Sequence, residues 1–115
     1  MLTTIFGSAT KAREDATVTL PPRKVKGWVH ELKMRLSDGE ALRYETRHPG
    51  EDGAVAFNIH HHHGRDLTYY AQEDRAAVAG TFRAPAAGDY YVMWENRSDA
   101  AVAVTYVVER LRSSR

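Results

Sequence analysis

The side chains of this sequence best equipped for chemistry are four consecutive histidines, His60 to His63, inside the internal stretch "NIHHHHG". Imidazole is a good ligand for zinc, copper and nickel. It also changes charge near neutrality, with an ordinary pKa of about 6.5. If the run is an extended strand, side chains two apart share a face, with their Cα atoms ~6.5–7 Å apart. His60 and His62 then form one pair and His61 and His63 another, on opposite sides. Either pair can reach a single ion, but a zinc site wants at least three protein ligands. The candidates for the third are His30, His48, Asp66 and Glu73. Alternation from Val55, Phe57 and Ile59 sends His61 and His63 toward the core and leaves His60 and His62 more exposed. A bulge or the turn at Gly64 would exchange the two pairs. The run is internal and continues the strand's alternation, so it does not read as a purification tag.

Other chemistries find less support. A cupin-type metal site needs a glutamate a few residues after His-x-His and a later histidine; here the next glutamate is Glu73 and no histidine follows His63. Ser8, Ser37, Ser98, Ser113 and Ser114 sit in turn-like or terminal contexts, none in a Gly-x-Ser-x-Gly elbow. With no cysteine, thiolate catalysis, disulfides and cysteine metal sites are excluded. No catalytic residues are assigned, and the expectation is a protein that is not an enzyme. "NRS" at Asn96 to Ser98 matches a glycosylation acceptor, but an asparagine closing a strand more often bonds turn backbone.

The elements that must carry these residues follow from the pattern. The 115 residues, with no Pro/Gly/Ser-rich linker, suit one domain. Sixteen Lys and Arg against fifteen Asp and Glu, with no basic block, give no footprint for nucleic acid. No stretch approaches the ~18 apolar residues of a membrane span, and the N-terminus lacks the basic and apolar regions of a signal peptide. Period-two alternation recurs in short runs broken by Gly, Pro and Asp, the signature of half-buried antiparallel strands. Trp28, His30, Leu32, Met34 and Leu36 form one face of the first long run, which also carries some helix propensity. "SDGE" then reads as the turn of a hairpin, with Leu42, Tyr44 and Thr46 on the inner face of the return strand. Val102, Val104, Tyr106 and Val108 make the last run apolar enough for a central position. The sum is an all-β, single antiparallel β-sandwich of about eight strands over residues 16–112, with an extension at 1–15 and a tail at 113–115. Trp28, Tyr44, Tyr90 and Trp94 fall on core faces. Neighbours on a strand point to opposite sides, so Tyr69 or Tyr70, and Tyr91 beside Tyr90, supply a candidate binding surface.

The segment from Gly80 to Val108 resembles the carboxyl-terminal half of a GOLD-type domain, as in the emp24/gp25L/p24 family. The shared places are held by Phe82, Gly88, Tyr90, Val92, Trp94, Asn96 and the Val102 to Val108 run. Upstream, "VAFNIHHHHG" is similar to a strand of bacterial stand-alone members. The resemblance implies a jelly-roll-like sandwich, a binding module more often than an enzyme, and a periplasmic or cell-envelope setting. It does not carry over the cysteine pair, coiled coil and membrane span of the p24 proteins, which this chain lacks. Two readings stand side by side. One is a binding module whose histidine-rich strand end takes Cu(II), Ni(II) or Zn(II); the other is a module for an unknown protein partner, in which the histidines are structural or pH-sensitive.

Overall fold

The computed structural model describes residues 13–111. The alternating runs become eight strands: β1 (Arg13–Leu20), β2 (Val29–Leu36), β3 (Ala41–Arg47), β4 (Val55–His63), β5 (Asp66–Glu73), β6 (Ala77–Arg83), β7 (Gly88–Asn96) and β8 (Val102–Leu111). They form two four-stranded sheets, β1-β8-β3-β6 and β2-β7-β4-β5. Every neighbouring pair is antiparallel. This is the strand order of a jelly roll. β1 begins at Arg13 and so takes in the last residues of the expected N-terminal extension. The rest of that extension, 1–12, and the expected tail, 113–115, lie outside the described residues.

The inner faces meet as period two requires. β7 alternates buried and half-buried from end to end, and Leu32, Ile59, Val92, Val104 and Val108 are fully enclosed. Removing each such side chain from water contributes roughly 1.5–3 kcal/mol. β2 is a strand despite its helix formers, because Leu32, Met34 and Leu36 reach the core only at every second residue. β8 is central, between β1 and β3. Tyr44, Phe57, Trp94 and Tyr106 pack as a chain of rings, Trp94 stacked on Tyr106 at 4.4 Å. The Trp94 Nε1–H donates to Thr46 Oγ1 at 2.8 Å, so the buried indole dipole is satisfied.

One local expectation is corrected. β2 and β3 are not a hairpin: they belong to opposite sheets, and "SDGE" is a corner where the chain crosses the sandwich, with Gly39 at φ 82°. Among the described residues the only consecutive strands that pair are β4 and β5. Both kinds of connection join two strands of period two, so alternation alone does not distinguish a hairpin from a crossing. At the β7–β8 crossing Asn96 is fully buried. Its Nδ2 donates to the carbonyls of Leu20, Pro21 and Ala100 at 2.8–3.1 Å, and its Oδ1 accepts from Ser98 N and Oγ. The turn role expected of "NRS" is the one observed, and the buried amide is closed to glycan attachment.

Candidate functional site

The histidine run occupies the end of β4, and the continuous β4–β7 register fixes its faces: Ile59 opposes Val92, His60 opposes Tyr91 and His61 opposes Tyr90. His61 and His63 therefore follow the core side, as alternation predicted. The exposures do not follow the faces. His60, on the outer side, is only 4% exposed, His61 is half-buried, and His62 and His63 are exposed. The expected contrast between an exposed His60/His62 pair and an inward His61/His63 pair fails because residues of neighbouring strands cover His60 while His63 runs past the end of the core.

A bulge explains the cover. Between Ile59 and His60 the β4–β5 register slips: Ile59 opposes Ala71 but His60 opposes Tyr69, so Tyr70 is the extra residue. The bulge lies in β5, so the histidines keep their faces. The tyrosines exchange theirs instead. Tyr69 stands on the outer face beside His60, ring centroids 5.6 Å apart. Tyr70 turns to the inner side, against Phe82 at 4.9 Å and Tyr90 at 5.9 Å. Of the expected surface set, Tyr69 and Tyr91 share one face, and Tyr70 belongs to the other. The β4–β5 turn is closed by Gly64 at φ 64°, while Arg65 keeps a negative φ, the pattern of a type II′ hairpin.

Around His60 the outer face is assembled from the four strands of this sheet. Tyr91 of β7 lies parallel to the imidazole, centroids 5.4 Å apart and planes within 15°. His62 meets it edge-on at 5.2 Å. Asn58 Oδ1 is 2.7 Å from His60 Nδ1, and Glu31 of β2 places Oε2 3.4 Å from Nε2. Leu67, opposite His62, and Tyr69 are 41% and 44% exposed. The result is a ring-paved strip, Tyr91, His60, Tyr69, with Leu67 and His62 at one end and Glu31 at one side. On the opposite side His61 stacks on Tyr90 at 4.9 Å and donates from Nδ1 to the Asp89 carbonyl at 2.9 Å. Gly88 leaves room for that ring, since a Cβ there would stand 3.1 Å from His61 Cε1.

The candidate third ligands do not join this cluster. His30 faces the core between Trp94 and Tyr106, its Nε2 3.1 Å from the Tyr106 hydroxyl. Burial holds that phenol well above its ordinary pKa, with Glu14 adding to the effect. His48 follows β3, and its Nδ1 accepts the Gly50 N–H at 3.0 Å. Asp66 stands opposite His63 at the hairpin end, and Glu73 opposite Phe57 at the other end of β5. As the side chains lie, no three His, Cys, Asp or Glu among the described residues form a metal-holding group. Glu31 and Asn58 were missed by sequence reasoning. They share the period-two face of their own strands, but that β7 lies between β2 and β4 is a property of the topology.

Among the described residues no helix is long and apolar enough to cross a membrane. No protein-family model matches the chain, and no curated protein sequence matches it. Solved structures do. PliG of Aeromonas hydrophila, a periplasmic inhibitor of g-type lysozyme, superposes with a TM-score of 0.62 at 9% identity, covering 93% of each chain. PliG of Salmonella Typhimurium gives 0.58 at 8% identity, over 93% of this chain and 95% of that one. The pre-peptidase C-terminal domain of Bacillus anthracis collagenase gives 0.56 at 13%, over 84% and 88%. At these identities the likeness is one of fold, and it runs through nearly the whole chain.

Proposed function

We propose that this chain is a non-catalytic, protein-binding β-sandwich, and that its partner docks on the outer face of the β2-β7-β4-β5 sheet over Leu67, His62, Tyr69 and Tyr91. The observation that carries this reading is the burial of His60 on a face that alternation directs to solvent. Tyr91, Tyr69, His62, Asn58 and Glu31 hold its ring, so the aromatic surface is fixed before any partner arrives. Aromatic anchors with few rotatable bonds on a rigid sheet lose little entropy on docking. In this reading the histidines are chiefly structural.

The fold shared with two periplasmic lysozyme inhibitors supports an inhibitor-like role and a periplasmic setting as parts of the same proposal. We also propose the GOLD-like kinship. What supports it is that Phe82, Tyr90, Val92 and Trp94 line the core of an antiparallel sandwich and Asn96 ties its corner.

The experiment is binding and inhibition of g-type lysozyme by the purified chain, together with cross-linking in periplasmic extract. The wild type is compared with Leu67→Ser/Tyr69→Ala and with Tyr70→Ala. A partner lost in the first variant and kept in the second supports the surface. A partner equally retained by both, or no partner at all, sinks it.

A further inference from the structure

Among the described residues the sheet edges are β1, β6, β2 and β5, and they are built differently. β1 opens with Arg13, Glu14 and Asp15, β2 carries Glu31, Lys33 and Arg35 along its outer side, and the ladder of β5 slips at Tyr70. β6 is regular and almost uncharged. From Ala77 to Phe82 it holds no charge and no proline, and its register with β3 is continuous. Arg83, its one charged residue, is tied back toward the start of β3 by a hydrogen bond to the Gly39 carbonyl at 2.6 Å. An edge with neither charge nor irregularity is open to another strand.

The bonds at the two ends of β6 determine which of its backbone groups stay open. His48 N donates to Ala76 O, Ala84 N to Glu40 O, and Gly39 N to Ala84 O. In an antiparallel ladder the residues that bond a given neighbour alternate. The even-numbered residues therefore serve β3, and Ala77, Ala79, Thr81 and Arg83 turn their N–H and C=O groups to the flank. No strand among the described residues pairs with that side. These four residues are exposed, and the side chains of Ala77, Ala79 and Thr81 are too small to screen the backbone. Tyr70, 39% exposed and packed on Phe82, adds apolar surface to the same flank.

We propose that this edge takes a second copy of the chain, β6 pairing antiparallel with β6 about a two-fold axis at Gly80. Register selects the occupant. With the axis there, Ala77 of one copy faces Arg83 of the other and Ala79 faces Thr81, so all the open N–H and C=O groups find one another in about eight hydrogen bonds. An axis at Ala79 or Thr81 leaves part of the edge unpaired. The pair at the axis is of the non-hydrogen-bonded kind, where backbones come closest, and Gly80 has no side chain to collide there. On the inner side Val78 meets Phe82, an apolar pair. No like charges are opposed, because the two Arg83 residues lie at opposite ends of the ladder. The contact is isologous and consumes both edges, so it stops at two copies and joins two four-stranded sheets into one. One strand per copy is a small interface, for which a dissociation constant of about ten to a hundred micromolar is expected. The contact is independent of the partner-docking face, which belongs to the other sheet.

The test is sedimentation equilibrium of the full chain up to about 0.5 mM, well above the expected dissociation constant. It is repeated on two double variants at exposed positions, each checked by circular dichroism. Ala79→Lys/Thr81→Lys sets lysine opposite lysine across the axis and should weaken the dimer at least about tenfold. Ala79→Lys/Thr81→Glu sets opposite charges face to face and should dimerise at least as tightly as the wild type. Leu67→Ser/Tyr69→Ala, which strips the docking face, should dimerise as the wild type does. A monomer at every concentration, a dimer indifferent to the paired lysines, equal losses from both charge variants, or a dimer lost in Leu67→Ser/Tyr69→Ala would overturn the assignment. Should a charge variant not fold, hydrogen exchange of the wild type decides. The amides of Ala77, Ala79, Thr81 and Arg83 should gain protection as concentration rises, and protection that does not depend on concentration would refute the pairing.

Discussion

The imidazole of His60 lies parallel to the phenol ring of Tyr91, with centroids 5.4 Å apart, on the side of the sheet turned away from the core. Stacked pairs of this kind contribute about 0.5–1.5 kcal/mol beyond the area they bury. Tyr91→Ala should therefore cost about 1–2 kcal/mol in urea unfolding and expose His60. Tyr91→Phe, which keeps the stack, should be close to neutral. Equal losses from both would mean that the hydroxyl and not the ring matters.

Asn96 should be among the most sensitive positions of the chain. Asn96→Ala removes a donor from three carbonyls and an acceptor from Ser98, in a place without exposure. Buried groups left unsatisfied cost about 1–3 kcal/mol each, and the partner groups at Pro21, Ser98 and Ala100, which are only part-buried, soften the sum. A loss of about 3 kcal/mol in chemical denaturation is expected, and a change under 1 kcal/mol would contradict the described network.

Much of this fold was legible because period two is a strong signal where one face is buried. Ala41–Arg47 is the strand that "ALRYETR" announced, and Val102, Val104, Tyr106 and Val108 are inward as their alternation required. What could not be read is which strand lies beside which. "SDGE" between β2 and β3 turns a corner between sheets, yet its residues would serve a hairpin equally well. The same gap hid the neighbourhood of His60. Glu31 precedes it by 29 positions and meets it only across β7, and the extra residue at Tyr70 leaves no mark in the composition of "DLTYYAQ".

Acid should weaken the fold partly through His48. Burial holds its imidazole below the ordinary value, against the smaller opposing pull of Asp52, and its Nδ1 accepts from Gly50. Between that lowered value and about 6.5 the unfolded chain binds a proton that the folded chain refuses. This contribution is therefore intact above about pH 6.5 and declines as pH falls through the window. His48→Asn offers Gly50 an acceptor that does not titrate. Its melting temperature should fall less between pH 7 and pH 5 than that of the wild type, whereas an identical fall would exonerate His48.

Gly80 sits opposite Tyr44 on the neighbouring strand, and a Cβ there would stand 2.6 Å from the Tyr44 hydroxyl and 2.8 Å from Cζ. Gly80→Ala should cost about 1–3 kcal/mol by overpacking. In a Tyr44→Leu background the added cost should shrink markedly, a non-additivity that a double-mutant cycle measures directly. Strict additivity would show that the ring is not what the methyl meets.

The bulge at Tyr70 also bears on solubility. β5 is an edge strand that presents Leu67, Tyr69 and Tyr70 to solvent without a single Pro, Lys or Arg to discourage another chain from pairing with it. A ladder cannot run straight past an extra residue, so the irregularity that sorts the two tyrosines also blocks a second molecule from extending the sheet in register. Deleting Tyr70 would straighten this edge and turn a self-limiting sandwich into a template for its own aggregation.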